Sequence, residues 1–124
     1  MTITEYVRLC HENASKKGFH AQDNRDLETA LDNSKECFER IRTQQLIKDI
    51  ALAMTELAEA VEHARKKPLL SDKTIWKESI EEELADTVIR IFDISGQYGI
   101  DLEYFINEKM AYNINREYLH GKKL

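Results

Sequence analysis

A single proline, Pro68, interrupts a chain of 124 residues that contains only four glycines. Because proline and glycine most often end helices or form turns, their scarcity favours long helices over a sheet with many turns. No segment of any length alternates apolar and polar residues with a period of two, which is the pattern of a half-buried strand. We therefore predict an all-α protein that folds as one domain over residues 1–124, a bundle of four to five helices.

The most regular apolar pattern lies just before Pro68 and predicts a long helix that begins near Thr43. Its apolar residues recur at intervals of three and four, as the buried stripe of a helix requires. These residues are Ile47, Ile50, Ala51, Met54, Leu57, Ala58 and Val61. A similar pattern predicts a helix from about Lys77 to Tyr98. Its inner face is expected to consist of Ile80, Leu84, Val88, Ile91, Phe92 and Ser95.

Three further helices complete the predicted bundle. The first runs from Thr4 to about Lys17, where Gly18 supplies a stop because it lacks a Cβ atom. A less regular segment over residues 26–41 forms the second. The last begins after Asp101, whose carboxylate can accept hydrogen bonds from the first free N–H groups, and continues to about Glu117.

Charge and cysteine content narrow the class of protein. The net charge of −5 argues against a general nucleic-acid binder, so no specific nucleic-acid partner is expected. Cys10 and Cys37 show neither a CxxC spacing nor the Cys–His pairing of a zinc site. The first residues lack an uninterrupted apolar stretch, so neither a signal peptide nor a membrane partner is expected. We predict a reduced, cytoplasmic protein.

Two acidic pairs have a spacing that suits metal binding. Glu56 and Glu59 are three residues apart on the long helix, and Glu83 and Asp86 are three apart on the next. Side chains at positions i and i+3 project side by side from a helix. Two antiparallel helices would therefore bring four carboxylates together, and oxygen ligands of this kind suit Mg²⁺.

A simpler interpretation is that these acidic residues are exposed to water and bind no metal. Both acidic pairs lie well away from the apolar stripes of their helices, where acidic residues are ordinarily exposed to water. Small or apolar neighbours of the first pair, such as Ala53 and Ala60, argue against that reading. A di-iron bundle is a third alternative, but it needs Glu-x-x-His motifs, and His63 lies four residues after Glu59.

The order of these motifs resembles a known family. ELAEAVEHARK at 56–66 and the segment from EEELADTVIRIF to HGKK at 81–123 resemble the MazG-like branch of the all-alpha nucleoside triphosphate pyrophosphatases. The signature of this family is E-x-x-E, a variable spacer and E-x-x-D. Here 23 residues separate the two motifs. The similarity covers about residues 52–123, and HENASKKGF at 11–19 is similar to the opening helix of the family.

The resemblance implies a magnesium-dependent hydrolase. Glu56, Glu59, Glu83 and Asp86 would bind Mg²⁺, with Mn²⁺ able to substitute, and Glu59 would also orient or deprotonate the attacking water. The implied reaction converts a nucleoside or deoxynucleoside triphosphate and water to the monophosphate and pyrophosphate, a reaction that can cleanse nucleotide pools. A homodimer or homotetramer is also implied. Phosphoribosyl-ATP or a modified nucleotide is an alternative substrate, and a non-enzymatic helical interaction module is the alternative from another class.

The resemblance also suggests substrate contacts outside the acidic pairs. One stripe of the last helix matches the phosphate-binding positions of the family: Lys109, Asn113 and Arg116. Asn13 and Lys17 are expected near the base or sugar. Trp76 is expected either to stack on a base or to pack into an interface. The HGKK residues at 120–123 are expected either to fold over bound phosphates or to fray.

Overall fold

The computed structural model describes residues 1–116, and within that range it contains helices and no strand. This confirms the predicted all-α class. A short 3₁₀ helix, Lys73–Ile75, lies in the connection that follows Pro68. The five α-helices are α1 (Ile3–Lys16), α2 (Ala21–Asn33), α3 (Lys35–Lys66), α4 (Ile80–Gln97) and α5 (Leu102–Ile114). The predicted end of the last helix at Glu117 and the HGKK segment lie outside the described residues.

Side-chain caps fix the helix ends. The Thr2 hydroxyl accepts a hydrogen bond from the backbone N–H of Glu5, and the Glu5 carboxylate accepts one from the backbone N–H of Thr2, which is a capping box at the start of α1. Gly18 follows this helix with a φ of 83°, as a glycine stop requires. The Asp101 carboxylate accepts from the backbone N–H of Tyr104, so the predicted N-cap of α5 is confirmed.

The predicted boundary between the second and third helices was wrong. The sequence pattern placed a break near Thr43, but α3 runs through Thr43 as one helix of 32 residues. The break lies instead at Ser34, whose backbone is extended and whose hydroxyl accepts a hydrogen bond from the N–H of Cys37. With this serine cap, α3 begins at Lys35, eight residues earlier than the apolar pattern suggested.

Helix α4 lies at the centre of the described fold. It packs against α3 on one side and against α1 on another, while α2 packs on α3 and α5 packs on α1. Two of these contacts depend on polar side chains. The Tyr98 hydroxyl donates to Asp49 Oδ2 over 2.7 Å, and the Gln45 side chain donates to the backbone carbonyl of Asp23 over 3.0 Å. Lys48 adds an ion pair of 2.7 Å with Asp23.

The interior of the chain is small and polar. In residues 1–116 the buried apolar residues are alanines: Ala14, Ala30, Ala53 and Ala60. The buried polar residues are His20, Gln45, Ser79, Thr87 and Ser95. The large apolar residues predicted to face inward are instead exposed on the isolated chain along much of α3 and α4. They are Ile47, Ile50, Met54, Leu57, Val61, Leu84, Val88 and Ile91.

The physical reason for this correction is that α3 and α4 face each other through their small and polar sides. The two ends of the expected inner face of α4 are covered: Ile80 is half-buried at one end, and at the other Phe92 stacks on Tyr6 of α1 with ring centroids 5.7 Å apart and Ser95 is buried. No helix in the described range carries a run of residues long and apolar enough to cross a lipid bilayer.

Gly96 allows α1 to approach α4 closely. A Cβ atom placed on Gly96 would lie 2.5 Å from the Cβ atom of His11, which is far inside van der Waals contact. We therefore expect Gly96→Ala to lower the free energy of unfolding by roughly 1–3 kcal/mol, the usual cost of overpacking. Chemical denaturation followed by circular dichroism measures the change.

A control separates this clash from helix propensity. Ala85→Ser adds one heavy atom at an exposed position of the same helix and should change stability little. Helix propensity alone predicts that Gly96→Ala stabilises the protein by about 1 kcal/mol. A gain in stability would therefore contradict the close packing of His11 against Gly96.

Candidate metal centre

The candidate centre lies where α3 and α4 run antiparallel. Three cross-helix contacts show the direction: His63 lies beside Glu83, Glu56 beside Arg90, and Asp49 beside Tyr98. The α3 residue number falls as the α4 number rises, as antiparallel packing requires. The small side chains Ala53, Ala60 and Thr87 are buried on these two helices and allow their close approach.

Three of the four predicted ligands converge between these helices. Glu56, Glu59 and Glu83 each offer a carboxylate oxygen, and these three atoms all lie within 4.8 Å of one another. Glu56 and Glu83 are largely enclosed, with 16% and 12% of their side-chain surface exposed to solvent. Glu59 is exposed. The two acidic motifs therefore face each other and not opposite sides of the molecule.

Asp86, the fourth predicted ligand, lies at the edge of this acidic cluster. It is half-buried on α4, one turn after Glu83, and lines a cavity together with Glu56. Its carboxylate is not among the three that lie within 4.8 Å of one another. Its charge nevertheless acts on the cluster, because the pKa of Glu83 is raised in part by Asp86. We use the term acidic cluster for Glu56, Glu59, Glu83 and Asp86.

Burial and mutual repulsion disfavour the ionised forms of two of these carboxyls. Burial contributes most to raising the pKa of Glu83, followed by the negative charge of Glu59 and a hydrogen bond with it. Burial also contributes most to raising the pKa of Asp86, followed by the charges of Glu56 and Glu82, while Arg90 acts in the opposite direction. A cation placed among these groups would relieve both effects.

The donor set fits a hard divalent cation. Glu83 Oε2 is buried and has no hydrogen-bond partner, although buried carboxylate oxygens are ordinarily satisfied. Several carboxylate oxygens on two helices, with an open side at Glu59, match the ligands that Mg²⁺ prefers and leave room for water or phosphate oxygens. The acidic cluster therefore has the composition of a magnesium site.

Two basic side chains partly balance the acidic cluster. Arg90 Nε donates to Glu56 Oε1 over 2.7 Å, and His63 Nε2 lies 3.5 Å from Glu83 Oε1. The Arg90 side chain is about half exposed, so it can move away from Glu56 when a cation binds there. The contact with Arg90 offsets part of the repulsion among the carboxylates.

A cavity of about 390 Å³ adjoins the acidic cluster. This volume lies within the range of about 300–1,000 Å³ that is typical of small-molecule sites. The cavity extends from Glu56 and Asp86 to residues of α1 and of the turn that precedes α2. Its wall is mixed in chemistry, with Asn13, Phe19, His20, Lys48, Leu52, Ile89 and Arg90 among the residues that line it.

Of the predicted substrate contacts, Asn13 lines this cavity in the described part of the chain, whereas Lys17 and Trp76 do not. Lys17 caps the end of α1, and Trp76 lies in the connection before α4 with about half of its surface exposed. Its carbonyl accepts a hydrogen bond from the Ser79 hydroxyl.

The predicted phosphate stripe lies on and just after α5, which packs on α1. The stripe does not line the cavity within residues 1–116. Lys109 and Arg116 both lie against the ring of Tyr112, at 4.7 and 5.4 Å from its centroid. Asn113 lies between them and is exposed. A phosphate-binding role for these residues stays a prediction.

Two basic residues of the cavity were missed by the sequence interpretation. Lys48 lies eight residues before Glu56, and Arg90 lies four residues after Asp86. Both intervals are close to whole numbers of helical turns, so each basic residue shares a face with the nearest acid. That spacing was available in the sequence, but it becomes informative only when the inward side of each helix is known.

The comparisons with known proteins supply no relative: no protein-family model, no curated protein and no solved structure matches this chain. The acidic cluster and the cavity beside it are therefore the features of the molecule that point to a function.

The raised pKa of Glu83 leads to a stability prediction. A carboxyl whose pKa is higher in the folded state than in the unfolded state stabilises the fold only at low pH, and this contribution is lost as the pH rises through the folded pKa. At neutral pH the ionised Glu83 is therefore unfavourable without a cation. We expect Glu83→Gln to raise the melting temperature of the metal-free protein relative to the unsubstituted chain.

In the presence of Mg²⁺, the unsubstituted chain should have a higher melting temperature than Glu83→Gln, the reverse of the order expected without metal. The unsubstituted chain should gain stability, by about 2.7 kcal/mol when the ion is at a hundred times its dissociation constant, and the variant should gain much less. Differential scanning calorimetry with and without Mg²⁺ measures both effects. Glu62→Gln, at an exposed residue of α3 that pairs with Arg65 and lies outside the acidic cluster, is the control. Equal Mg²⁺ shifts in all three proteins would contradict the site.

Proposed function

We propose that the chain is a magnesium-dependent nucleoside triphosphate pyrophosphohydrolase that releases pyrophosphate and leaves the nucleoside monophosphate. The observation that carries this proposal is the convergence of Glu56, Glu59 and Glu83, with Asp86 beside them, next to a cavity of small-molecule size that Glu56 and Asp86 line. This placement favours metal chemistry over the alternative that the acids are merely solvated. The resemblance of both motifs to the MazG-like pyrophosphatases supports the same reading.

Each part of the site has a role in this reaction. The acidic cluster would hold Mg²⁺, which neutralises phosphate oxygens and lowers the pKa of water when bound. Glu59 is the exposed member, so its carboxylate is accessible to orient a water molecule and accept its proton. Arg90 and Lys48 line the cavity and can donate to phosphate oxygens. When a cation binds Glu56, Arg90 would release that carboxylate and donate to a phosphate oxygen instead.

The apolar part of the cavity suits the nucleoside. Phe19, Leu52 and Ile89 provide surface for a base or sugar, and Asn13 offers both a donor and an acceptor. The cavity lining therefore combines groups that can bind phosphate with apolar surface for an uncharged ring system.

Substitution of the acids tests the proposed reaction. We expect Glu59→Gln and Asp86→Asn each to reduce turnover by about 10²–10⁴-fold, because a positioned base and a metal ligand contribute on that scale. Pyrophosphate release over a panel of nucleoside and deoxynucleoside triphosphates measures turnover. Glu62→Gln should retain full activity, since Glu62 is exposed and paired with Arg65.

Oxygen labelling identifies the phosphorus that is attacked. In water enriched with ¹⁸O, attack at the α-phosphorus places the label in the monophosphate, and attack at the β-phosphorus places it in pyrophosphate. The proposal requires label in the monophosphate. Absence of turnover with every nucleotide, or full turnover in both acid variants, would contradict it.

We also propose that two or more copies of this chain assemble through the exposed faces of α3 and α4. Buried alanines alone give residues 1–116 little apolar core, while Met54 keeps 64% of its surface exposed. The exposed apolar residues of α3 recur at intervals of three, four, three and four from Ile47 to Val61. This spacing is the one with which helices of two chains pack along a common seam. A homodimer or homotetramer would complete the core.

Charge placed in this seam should prevent assembly. We expect the double substitution Met54→Lys and Leu57→Lys to yield a smaller particle than the unsubstituted chain, with reduced thermal stability. Asn107→Lys, at an exposed position of α5 and therefore away from the seam, should leave the mass unchanged. Light scattering coupled to size-exclusion chromatography measures the mass. A monomeric unsubstituted chain would contradict the proposed assembly.

A further inference from the structure

A second group of potential ligands lies where α1, α2 and α4 meet. His11 comes from α1, His20 is the residue that precedes α2, and Asp93 comes from α4. One ligand atom of each residue lies within 4.8 Å of the other two. We call these residues the histidine cluster. The proposed hydrolysis assigns it no role, and the family resemblance did not point to it.

Distances within the histidine cluster are close to those of a metal site. His20 Nε2 lies 2.7 Å from Asp93 Oδ1, and His11 Nδ1 lies 3.1 Å from the same oxygen. In a tetrahedral zinc site with bonds of 2.0–2.1 Å, neighbouring ligand atoms lie about 3.3 Å apart. An outward movement of a few tenths of an ångström would therefore make room for an ion.

The surrounding packing holds these ligands in position. His20 is buried, and the side chain of Asp93 is 19% exposed, so neither residue is an ordinary surface side chain. Gly96 brings α1 close enough for His11 to reach Asp93. The two imidazole rings lie 5.3 Å apart, on one carboxylate. Convergence of three elements on three ligand side chains is the arrangement that a bound ion can stabilise.

We infer that the histidine cluster is a binding site for a divalent transition-metal ion such as Zn²⁺, separate from the acidic cluster. Two imidazoles and one carboxylate form a mixed nitrogen and oxygen donor set, which favours Zn²⁺ and its neighbours in the periodic table over Mg²⁺. The acidic cluster offers oxygen ligands from its carboxylates and favours Mg²⁺. The chain would thus select two different ions at two places.

Ion binding at the histidine cluster requires a proton shift but no redox step. Each imidazole binds a metal through an unprotonated nitrogen, so the proton that it donates to Asp93 moves to the other ring nitrogen or, from a charged ring, to water. Three protein ligands leave a fourth tetrahedral position for water. His20 and Asp93 also line the cavity, so water and small solutes can reach them from there.

Cobalt substitution tests this inference on the complete chain without an affinity tag. Co²⁺ is added in the presence of excess Mg²⁺, and visible absorption is recorded because tetrahedral Co²⁺ absorbs more strongly than the hydrated ion. We expect one Co²⁺ per chain with an intense visible band, displaced by an equal amount of Zn²⁺. Absence of the band would overturn the inference.

Substitutions assign the band to its ligands. His11→Gln and Asp93→Asn should each weaken Co²⁺ binding at least tenfold, whereas His63→Gln, which alters the histidine beside Glu83, should leave it unchanged. The combined Glu59→Gln and Asp86→Asn variant should lose Mg²⁺-dependent turnover and keep the cobalt band. Loss of the band in that variant, or its persistence in His11→Gln, would place the ion elsewhere and overturn the inference.

X-ray absorption at the zinc edge supplies a measurement that needs no variant. The unsubstituted protein with one equivalent of Zn²⁺ should show two imidazole ligands and additional oxygen ligands at 2.0–2.2 Å, as expected for a zinc ion bound by histidine and carboxylate. A spectrum with oxygen ligands alone, or with a single imidazole, would overturn the inference. This result is independent of whether the chain hydrolyses nucleotides.

Discussion

The contact between α3 and α4 is the interaction on which the rest of the structure depends. Ala53 and Ala60 on one helix and Thr87 on the other are buried and small, so the two backbones approach closely and carry their carboxylates with them. Apolar packing at this contact is slight, and carboxylates brought together repel one another. The contact therefore gains stability from whatever neutralises Glu56 and Glu83. Arg90 does so in part at Glu56, and a divalent cation would do so more fully at both.

The same contact also determines where the large apolar residues lie. Because α3 and α4 present their small and polar faces to each other, the stripe that contains Met54 lies on the opposite side of α3 and is exposed. The polar interior and the apolar exterior therefore both follow from which faces of α3 and α4 pack against each other. The proposed metal site and the proposed assembly thus have the same physical origin. The faces that α3 and α4 turn toward each other carry the acidic cluster, and the outward face of α3 carries the apolar residues that would form a core between chains.

Local signals in the sequence predicted much of the fold, whereas contacts between residues far apart in the sequence could not be predicted. Asp101 begins α5 and Gly18 follows the end of α1 as expected, because a cap acts on its own neighbours. Ser34 was missed because one serine is a weaker signal than an apolar pattern that continues past it. The sequence revealed the stripe of α3 but not the direction in which it faces. It did not bring His11, His20 and Asp93 together as one cluster, since His11 and Asp93 are 82 positions apart.

Binding of Mn²⁺ measured by electron paramagnetic resonance tests the central claim, that the α3–α4 contact holds a divalent cation. Free Mn²⁺ gives a strong signal that is lost on binding, so a titration reports the bound fraction directly. We expect a Mn²⁺ site that Mg²⁺ displaces, that Zn²⁺ bound at the histidine cluster leaves intact, and that Glu59→Gln combined with Glu83→Gln removes. A free-ion signal that is unchanged by the protein, or binding that survives both substitutions, would contradict it.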